Sequence, residues 1–515
     1  MITNENKVRD YMDSPKTMQL PATIRAERNW SSPQYRQTRY GTDTGAGAKA
    51  TEPYSSTLAL GQIQQGHDLC MSGKYIDAEA YFRAAAELEP NWPMPHNNLG
   101  WVLQAQGKNE AALTSYKRAV ELNPAFELAQ TNLAFLLANL YFSIGKFAEA
   151  RSMWLVLASH NPQDHHVLDN LICTALRVHD LHEAAYWANC HAAVTRASAY
   201  HQMLPGIAVA PPDLPIPVPK VSRGKLLHDR DQYQYLYDKG LVGAEFGDII
   251  KSYVAALDDS NLQDNPSLDV LPVAHNLRNT YGRINHHYPA GRLFGNALSF
   301  SESMRKAEDE YRNSQLGVVV IDDFLTPEAL SELQRFCLES TIWHSNHYAY
   351  DRLGAFFREG FNCPLLLQIA EELQLVFPDI IGLRHALLQM WGFKYRHDQP
   401  STHPHADFAA VNVNFWITPD EANQDRQSGG LVIYDIEAPL DWPFDAYNRQ
   451  GDKIAAFLEA ADAKRIVIPY RCNRAIIFNS DLFHATAALS FLPGYVNQRI
   501  NVTMLYGDRA AAKTT

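Results

Sequence analysis

The sequence predicts a multidomain protein in which an all-α superhelix of repeated helical hairpins precedes a C-terminal β barrel with flanking helices. Three observations predict this arrangement. Small residues, aromatic residues and prolines recur with a spacing of 34 after residue 59. A proline-rich stretch follows, and beyond residue 315 apolar residues recur at every second position, which is the period of a strand. At 515 residues the chain is long enough for two or three domains.

Composition and charge limit the classes of function. Hydrophobic residues make up 46% of the chain and charged residues 20%, which is typical of a globular protein. The formal net charge is -12, and no nucleic-acid partner is expected because phosphate binding needs concentrated Lys and Arg. The sequence has no long apolar run and its first residues lack the plan of a signal peptide, so we expect a cytoplasmic protein that enters no membrane. The six cysteines form no metal-type pair, which fits a reducing compartment.

The first elements in the chain are a tail and a set of repeats. Residues 1–55 are polar without an apolar period, which predicts a flexible tail, and the predicted repeat domain covers residues 56–203. Glycine and alanine let two helices cross closely, an aromatic side chain fills the gap beside them, and proline ends the second helix. Six pairs match at a spacing of 34: Gly66 and Gly100, Gly73 and Gly107, Ala78 and Ala112, Phe82 and Tyr116, Ala85 and Ala119, and Pro90 and Pro124. A third copy has four extra residues in its first helix, and a fourth copy around Ala184 and Trp187 is degenerate.

The repeats resemble a known family. The segment NNLGWVLQAQGKNEAALTSYKRAVELNP at 97–124 is similar to the tetratricopeptide repeat, and the resemblance covers about 140 residues. It implies helical hairpins stacked into a short superhelix whose concave face commonly binds a peptide or protein. The sequence leaves open whether the repeats bind a partner or instead support the rest of the chain or form a homodimer.

Two segments separate the repeats from the strands. Residues 204–220, LPGIAVAPPDLPIPVPK, contain six prolines in seventeen positions and predict a semi-rigid extended linker. Residues 221–315 combine helical patterns with a loop-like middle, and they predict a mainly helical connecting region without an assigned chemistry.

The remaining elements are strands with one predicted helix at their start. GVVVIDDFL predicts a buried strand, followed by a helix that starts at Thr326 with Pro327 in its first turn. Short runs of β-branched and aromatic residues then follow: LLQMWGFKY, AAVNVNFWIT, GGLVIYDI, KRIVIPY, RAIIFN and QRINVTMLYG. Their spacing predicts an all-β barrel or sandwich. The insertion at 437–464 is longer than a hairpin needs, and it predicts either a lid or substrate wall or a plain surface elaboration.

The stretch THPHADFAAVNVNFW at 402–416 contains the candidate site. Residues i and i+2 of a strand point to one side, so His405 and Asp407 can present an imidazole and a carboxylate to one point. His403 is an alternative ligand, but the His-x-Asp register favours His405. His484 follows the apolar run RAIIFN, where a third ligand can return from a distant strand. Two histidines and one carboxylate are the ligand set of non-haem Fe(II) oxygenases.

Polar side chains alternate with apolar ones on the strands nearby. The two polar sets are Asn412, Asn414 and Trp416 on one strand, and Arg499, Asn501 and Thr503 on another. Buried polar groups need partners, and a bound anionic ligand would supply them. An arginine among them can hold a carboxylate through two hydrogen bonds.

These residues resemble the Fe(II)- and 2-oxoglutarate-dependent dioxygenases, in particular the prolyl-hydroxylase-like branch. The resemblance covers roughly residues 316–509 and includes the entry segment VVVIDDFLTPEALSEL. It implies a double-stranded β-helix, a jelly-roll or cupin-like fold, in which His405, Asp407 and His484 bind Fe(II). It implies that Arg499 pairs with the distal carboxylate of 2-oxoglutarate and that Tyr395 bonds the same co-substrate, while Asn414 and Thr503 are expected co-substrate contacts from the polar faces of their strands.

The implied activity is hydroxylation of an unactivated C–H bond by O2, coupled to oxidative decarboxylation of 2-oxoglutarate to succinate and CO2, with ascorbate helpful. The leading hypothesis is an enzyme that hydroxylates a residue of a protein or peptide recognised with help of the repeats. One alternative is a hydroxylase of a small molecule or of a free or carrier-bound amino acid, with the repeats as a dimerisation module. Another is a catalytically dead repeat scaffold. Arg352 and Arg358 could touch the substrate, although exposed arginines are the commoner case.

Overall fold

The computed structural model describes residues 57–196, 221–258, 277–346 and 348–509. The expected flexible tail at 1–55 and the expected linker at 204–220 lie outside the described residues. The chain divides into two compact units, Met1–Asn170 and Leu171–Thr515. None of the described helices is both long and apolar enough to cross a membrane.

The first unit is built from helical hairpins. Its helices are α1 (Thr57–Met71), α2 (Tyr75–Leu88), α3 (Pro93–Ala105), α4 (Asn109–Leu122), α5 (Glu127–Ser143) and α6 (Phe147–His160). Glycines at φ between 74° and 77°, a conformation that costs other residues energy, make the turns within the hairpins: Gly73, Gly107 and Gly145. A Cβ added to Gly66 or Gly100 would lie 2.6 Å from the aromatic ring of the next helix. The period of 34 therefore records close helix crossings, and the helical repeat prediction is confirmed.

Helix α7 (His165–Arg177) crosses the division between the units, and helix α8 (Leu181–Arg196) lies wholly in the second unit. Ala184, Ala188 and Ala192 of α8 belong to the same apolar core as the strands. Arg196 of α8 forms an ion pair of 2.8 Å with Glu359, which ends a single helical turn at Phe357–Glu359. The degenerate fourth repeat of the sequence thus packs as part of the second unit.

The described part of the connecting region is helical where the sequence predicts helices. Helices α9 (Arg223–Asp238) and α10 (Phe246–Leu257) share a core of their own, and α11 (Glu302–Asn313) leads into the first strand. The Ser222 hydroxyl caps α9 by accepting a hydrogen bond from the Lys225 amide, which satisfies one of the free donors at the start of that helix.

The rest of the second unit contains two antiparallel sheets. Its strands are β1 (Val318–Ile321), β2 (Leu353–Phe356), β3 (Leu387–Tyr395), β4 (Ala409–Trp416), β5 (Leu431–Glu437), β6 (Arg465–Ile468), β7 (Ala475–Asn479), β8 (Leu482–Thr486) and β9 (Arg499–Asp508). The large sheet has the order β1-β7-β4-β9-β3-β2, and the small sheet has the order β6-β5-β8. Helices α12 (Pro327–Glu339) and α13 (Pro364–Val376) accompany them, and Thr326 caps α12 as predicted. A helical repeat region followed by a strand-rich region is therefore the observed fold class.

The large sheet has two different faces. Its outer face packs on the helices, with Val413 and Val502 in one core with Phe336 and Leu366. The inner face looks toward the small sheet, and its Tyr395, Trp416, Ile476 and Phe478 share a second core with Leu431, Ile433 and Ile468 of the small sheet. The polar side chains that alternate with the apolar ones on β4 and β9 lie on this inner face, where Asn414 is paired with Thr503. The candidate site is thus built between the sheets.

Candidate metal centre

Three side chains predicted as metal ligands come together in the second unit. One ligand atom each of His405, Asp407 and His484 lies within 4.8 Å of the other two. Backbone pairing brings the two histidines side by side, because the amide of His405 donates to the His484 carbonyl at 3.0 Å and the return bond is 2.8 Å. Their ring centroids are 4.5 Å apart. Asp407 follows two residues after His405 and precedes β4, so one short segment and strand β8 supply the whole set.

Both histidines are oriented by their own backbone. Nδ1 of His405 lies 3.3 Å from the His403 carbonyl oxygen, and Nδ1 of His484 lies 3.1 Å from the Leu482 carbonyl oxygen. A neutral imidazole that donates through Nδ1 keeps the lone pair on Nε2 for a metal ion. Nε2 of His484 is 3.5 Å from Asp407 Oδ2. The Asn412 amide donates to the same oxygen at 2.8 Å and so fixes the carboxylate.

The charges of this cluster suit a divalent metal ion. Burial lowers the pKa of His405, and repulsion by His484 acts in the same direction, which favours the neutral imidazole that a metal ion binds. Burial alone would raise the pKa of Asp407, but its electrostatic interactions with the two histidines and the hydrogen bond from Asn412 lower it. A carboxylate beside imidazole nitrogens is the donor set that Fe(II) binds in oxygenases, so the residues present fit this ion.

The insertion at 437–464 forms two helices, α14 (Phe444–Asn448) and α15 (Gly451–Ala460), and the first of these holds the metal-site turn. The amide of Ala406, which stands between the two ligands, donates to the Tyr447 carbonyl at 3.0 Å. The Asn448 side chain donates to the Ala406 carbonyl at 2.8 Å. Both backbone groups of Ala406 are therefore bound by the insertion, which positions the turn.

His403, the alternative ligand, is exposed and lies in a surface cleft with Arg449 and Gly451. It is not part of the cluster that brings His405 and His484 together.

The predicted co-substrate residues lie on the inner face of the large sheet. Arg499 is 1% exposed; its Nε donates to the Gly429 carbonyl at 2.6 Å and its Nη1 to Asn501 Oδ1 at 3.1 Å. Its guanidinium carbon is 4.7 Å from the centre of the Tyr395 ring. The Tyr395 hydroxyl lies 3.1 Å from the Thr486 hydroxyl, two residues beyond the ligand His484. Tyr395 thus joins the arginine to the strand that carries a metal ligand.

Asn414 and Thr503 complete this polar lining. The Asn414 amide donates to the Thr503 hydroxyl at 2.9 Å, and the Asn501 amide lies 3.3 Å from the same hydroxyl. Within the described ranges, Asn414 Oδ1 and Trp416 Nε1 are buried and have no hydrogen-bond partner. Buried polar atoms are rarely left unpaired, so this lining has donors and acceptors to offer a polar ligand.

Arg352, which the sequence offers only as a possible substrate contact, also lies beside these side chains. Its guanidinium carbon lies 4.6 Å from the centre of the Phe393 ring and 5.7 Å from that of Tyr395. No strand is predicted at 353–356, so the place of Arg352 one residue before β2 is seen only in the structure. The positioning residue Asn448 likewise has no signal in the sequence, since it reaches the site only through packing of the insertion. The backbone carbonyl of Arg358 lies 3.0 Å from His191 Nδ1 of α8.

Comparisons with known proteins identify the repeats. The family model described as TPR repeat matches residues 102–140. The human Protein O-mannosyl-transferase TMTC2 is 41% identical over 56 residues, which are 11% of this chain and 7% of that protein. The peroxisomal targeting signal receptor of Kluyveromyces lactis is 36% identical over 93 residues, which are 18% of this chain and 15% of the receptor. The chain therefore spans only a small part of the length of these relatives.

Solved structures with a similar helical region include a tetratricopeptide repeat protein from Parabacteroides merdae. It has a TM-score of 0.23 and 23% identity, and the match covers 26% of this chain and 52% of that one. MamA from Desulfovibrio magneticus has a TM-score of 0.25 and 14% identity over 40% of this chain and 99% of its own. The family match shows tetratricopeptide repeats, a class of protein-interaction repeat, in the N-terminal region of this chain.

Proposed function

We propose that this protein is an Fe(II)- and 2-oxoglutarate-dependent dioxygenase. Its chain joins tetratricopeptide repeats to a cluster of two histidines and one aspartate that lies between antiparallel sheets. Its reaction would be the hydroxylation of an amino-acid residue in a protein or peptide. The two facing sheets would be the halves of a double-stranded β-helix. The proposal includes O2 as the second co-substrate.

The observation that carries the proposal is the geometry of the three ligands. His405, Asp407 and His484 present their ligand atoms within 4.8 Å of one another, from a segment before β4 and from β8. Both Nδ1 atoms face backbone carbonyls, which leaves each Nε2 available as a metal ligand, and Nε2 of His484 lies 3.5 Å from the Asp407 carboxylate. Three protein ligands leave other coordination positions for a co-substrate and O2.

A second observation supports 2-oxoglutarate as the co-substrate. Arg499 is a buried cation on the same inner face, and the described residues offer its guanidinium no carboxylate partner. A buried charge without a counter-ion is costly, and a dicarboxylate would supply the missing negative charge. Arg499 can bind the distal carboxylate through its guanidinium, while Asn414 and Thr503 meet the polar chain of the ligand.

In the reaction, bound Fe(II) would supply the activation of O2 that is coupled to decarboxylation of 2-oxoglutarate. The residues of the chain have simpler tasks. His405, Asp407 and His484 hold the metal with one negative charge, and Asn412 keeps the carboxylate of Asp407 in place through its amide. The aromatic rings on the inner face exclude water from the space in which the C–H bond is attacked.

We assign substrate recognition to the repeats of the first unit, which belong to a class of protein-interaction repeat. The region to remove in a test is α1 to α6, residues 57–160, because the residues from Leu171 onward pack in the second unit. Succinate formation stimulated by a peptide should fall when this region is deleted, while formation without peptide should persist. Peptide stimulation that survives the deletion would contradict this role.

The test of the enzyme itself is succinate formation by the full-length protein with Fe(II), 2-oxoglutarate, O2 and ascorbate, with and without peptides. We expect His405→Ala and His484→Ala to lose both metal binding and succinate formation. His403→Ala is the matched control, since it removes an exposed imidazole two residues from the site and should retain both. Absence of metal binding and of succinate in the unmodified protein would refute the proposal.

A further inference from the structure

Three side chains form a row across neighbouring strands of the inner face. Tyr395 of β3 is paired with Arg499 of β9, and Leu353 of β2 is paired with Lys394. One position further along the same antiparallel register, Arg352 stands beside Tyr395. Residues paired across strands point to the same face, so Arg352 and Arg499 flank one tyrosine on opposite sides.

Aromatic rings hold the guanidinium of Arg352. Its central carbon lies 4.7 Å from the centre of the Tyr348 ring, 4.6 Å from Phe393 and 5.7 Å from Tyr395. Such contacts attract the cation and also exclude water from it. The charge is therefore kept in a fixed place at the end of β2, which is an edge strand of the large sheet. Arg352 is half-buried there, whereas Arg499 is only 1% exposed.

Neither arginine has its charge balanced by the chain. Among the residues that the structure describes, no carboxylate lies within ion-pairing distance of Arg352 or Arg499, and the buried Nε of Arg352 has no hydrogen-bond partner. The neighbouring Arg396 differs, because it lies 3.7 Å from Asp351. Two cations without counter-ions in a partly buried space call for two negative groups.

The electrostatics of neighbouring groups point the same way. Burial would raise the pKa of Tyr395, but attraction of its phenolate first to Arg352 and then to Arg499 lowers it. Arg352 thus favours negative charge in the space beside Tyr395.

We infer that Arg352 binds a carboxylate of the substrate, and that the substrate is an acidic peptide whose carboxylate enters beside the metal. The inference rests on the proposed function, in which Arg499 is already taken by the distal carboxylate of 2-oxoglutarate. With the co-substrate carboxylate on the fully buried Arg499, the half-buried Arg352 remains for a carboxylate of the substrate. The carboxylate could come from an Asp or Glu side chain or from a C-terminus, and the test separates these sources.

The test uses the full-length protein loaded with Mn²⁺, a redox-inert paramagnetic ion, and saturating 2-oxoglutarate. Three pentapeptides of glycine serve as probes: one capped with a central Asp, one capped with a central Asn, and one with a free C-terminal carboxylate. The measurement is the relaxation enhancement that bound Mn²⁺ causes in the peptide protons. The affinity for 2-oxoglutarate is measured separately for each variant. Variants are Arg352→Gln and Arg352→Lys, with Arg396→Gln as a control that removes an equal charge nearby.

We expect the protons of at least one carboxylate peptide to relax about fivefold or more faster than those of the Asn peptide, because a hydrogen bond to a charged group is stronger than one to a neutral amide. The peptide with the larger effect identifies the source of the carboxylate. Arg352→Gln should abolish the difference with the 2-oxoglutarate affinity unchanged, Arg352→Lys should keep part of it, and Arg396→Gln should keep all of it.

Three results would overturn the inference: equal relaxation of all three peptides, an undiminished preference in Arg352→Gln, or a loss of about tenfold or more in 2-oxoglutarate affinity in that variant. The last result would assign Arg352 to the co-substrate instead. Failure of the unmodified protein to bind Mn²⁺ or 2-oxoglutarate is a different outcome, because it would refute the proposed function and with it this inference.

Discussion

Replacing Asn448 by alanine should weaken binding of a divalent metal ion about tenfold, although Asn448 is not a ligand. Its side chain donates to the carbonyl of Ala406, between His405 and Asp407, at 2.8 Å. Losing one such bond in a partly buried place costs ~1 to 1.5 kcal/mol, and 1.4 kcal/mol is a factor of ten in affinity. The second bond to the turn, from the Ala406 amide to the Tyr447 carbonyl at 3.0 Å, remains, so the turn should loosen without unfolding.

The assay is calorimetric titration of Mn²⁺ into the full-length protein, with the unfolding temperature as a check on folding. Arg449→Ala is the matched control, because Arg449 is the next residue and its ion pair with Asp445 has side chains that are 51% and 53% exposed. Exposed pairs of this kind contribute little. The reasoning would be refuted by an Asn448→Ala variant with the affinity of the unmodified protein, or by an equal loss in Arg449→Ala.

Three further predictions concern stability. Burial lowers the pKa of Lys394 from 10.5 to about 7, so the unfolded chain binds one proton more than the folded chain above pH 7. The free energy of unfolding should therefore rise by about 2 kcal/mol between pH 7 and 9. Denaturant titrations should show no such rise in Lys394→Met, and an equal rise in the variant and the unmodified protein would contradict the prediction. Gly100→Ala should destabilise the repeats by ~1 to 3 kcal/mol, since its Cβ would lie 2.6 Å from the Tyr116 ring, whereas Gly61→Ala, with nothing within 4 Å, should stabilise α1 by up to ~1 kcal/mol in thermal unfolding. Removing metal by a chelator should lower the unfolding temperature, and adding Mn²⁺ should restore it, with no response in His484→Ala; a response in that variant would place the metal elsewhere.

The common face of Arg499, Asn501 and Thr503 could be predicted from the sequence, because it follows from the period of two along a strand. The position of these polar side chains between two sheets also follows from the alternation of polar and apolar residues, because the two faces of such a strand need different surroundings. His405 and Asp407 were expected to share a face of a strand, but they come together in the segment before β4, where backbone pairing with His484 holds His405.

The parts that could not be predicted depend on contacts between distant segments. Nothing near Asn448 in the sequence indicates that it binds the Ala406 carbonyl, since the insertion reaches the turn only after folding. The sequence offered Arg352 only as a possible substrate contact. Its candidacy as a carboxylate-binding residue depends on its position beside Tyr395 and on the lack of a counter-ion, which the structure shows. The sequence period also predicts α8 as part of the repeats. In the structure its alanines are buried in the core of the second unit, so the helix packs there.

The position of α8 bears on how such a protein can be cut or recombined. The proline-rich stretch at 204–220 looks like the natural boundary, and a gene fusion or a protein fragment would conventionally begin there. A fragment starting at that point would lack the alanine face of α8, expose the apolar surface that it covers, and leave Glu359 without Arg196. A chimaera that replaces one repeat array by another would therefore need its junction before Leu171. The last helices of the array would then stay with the sheets and not with the exchanged repeats.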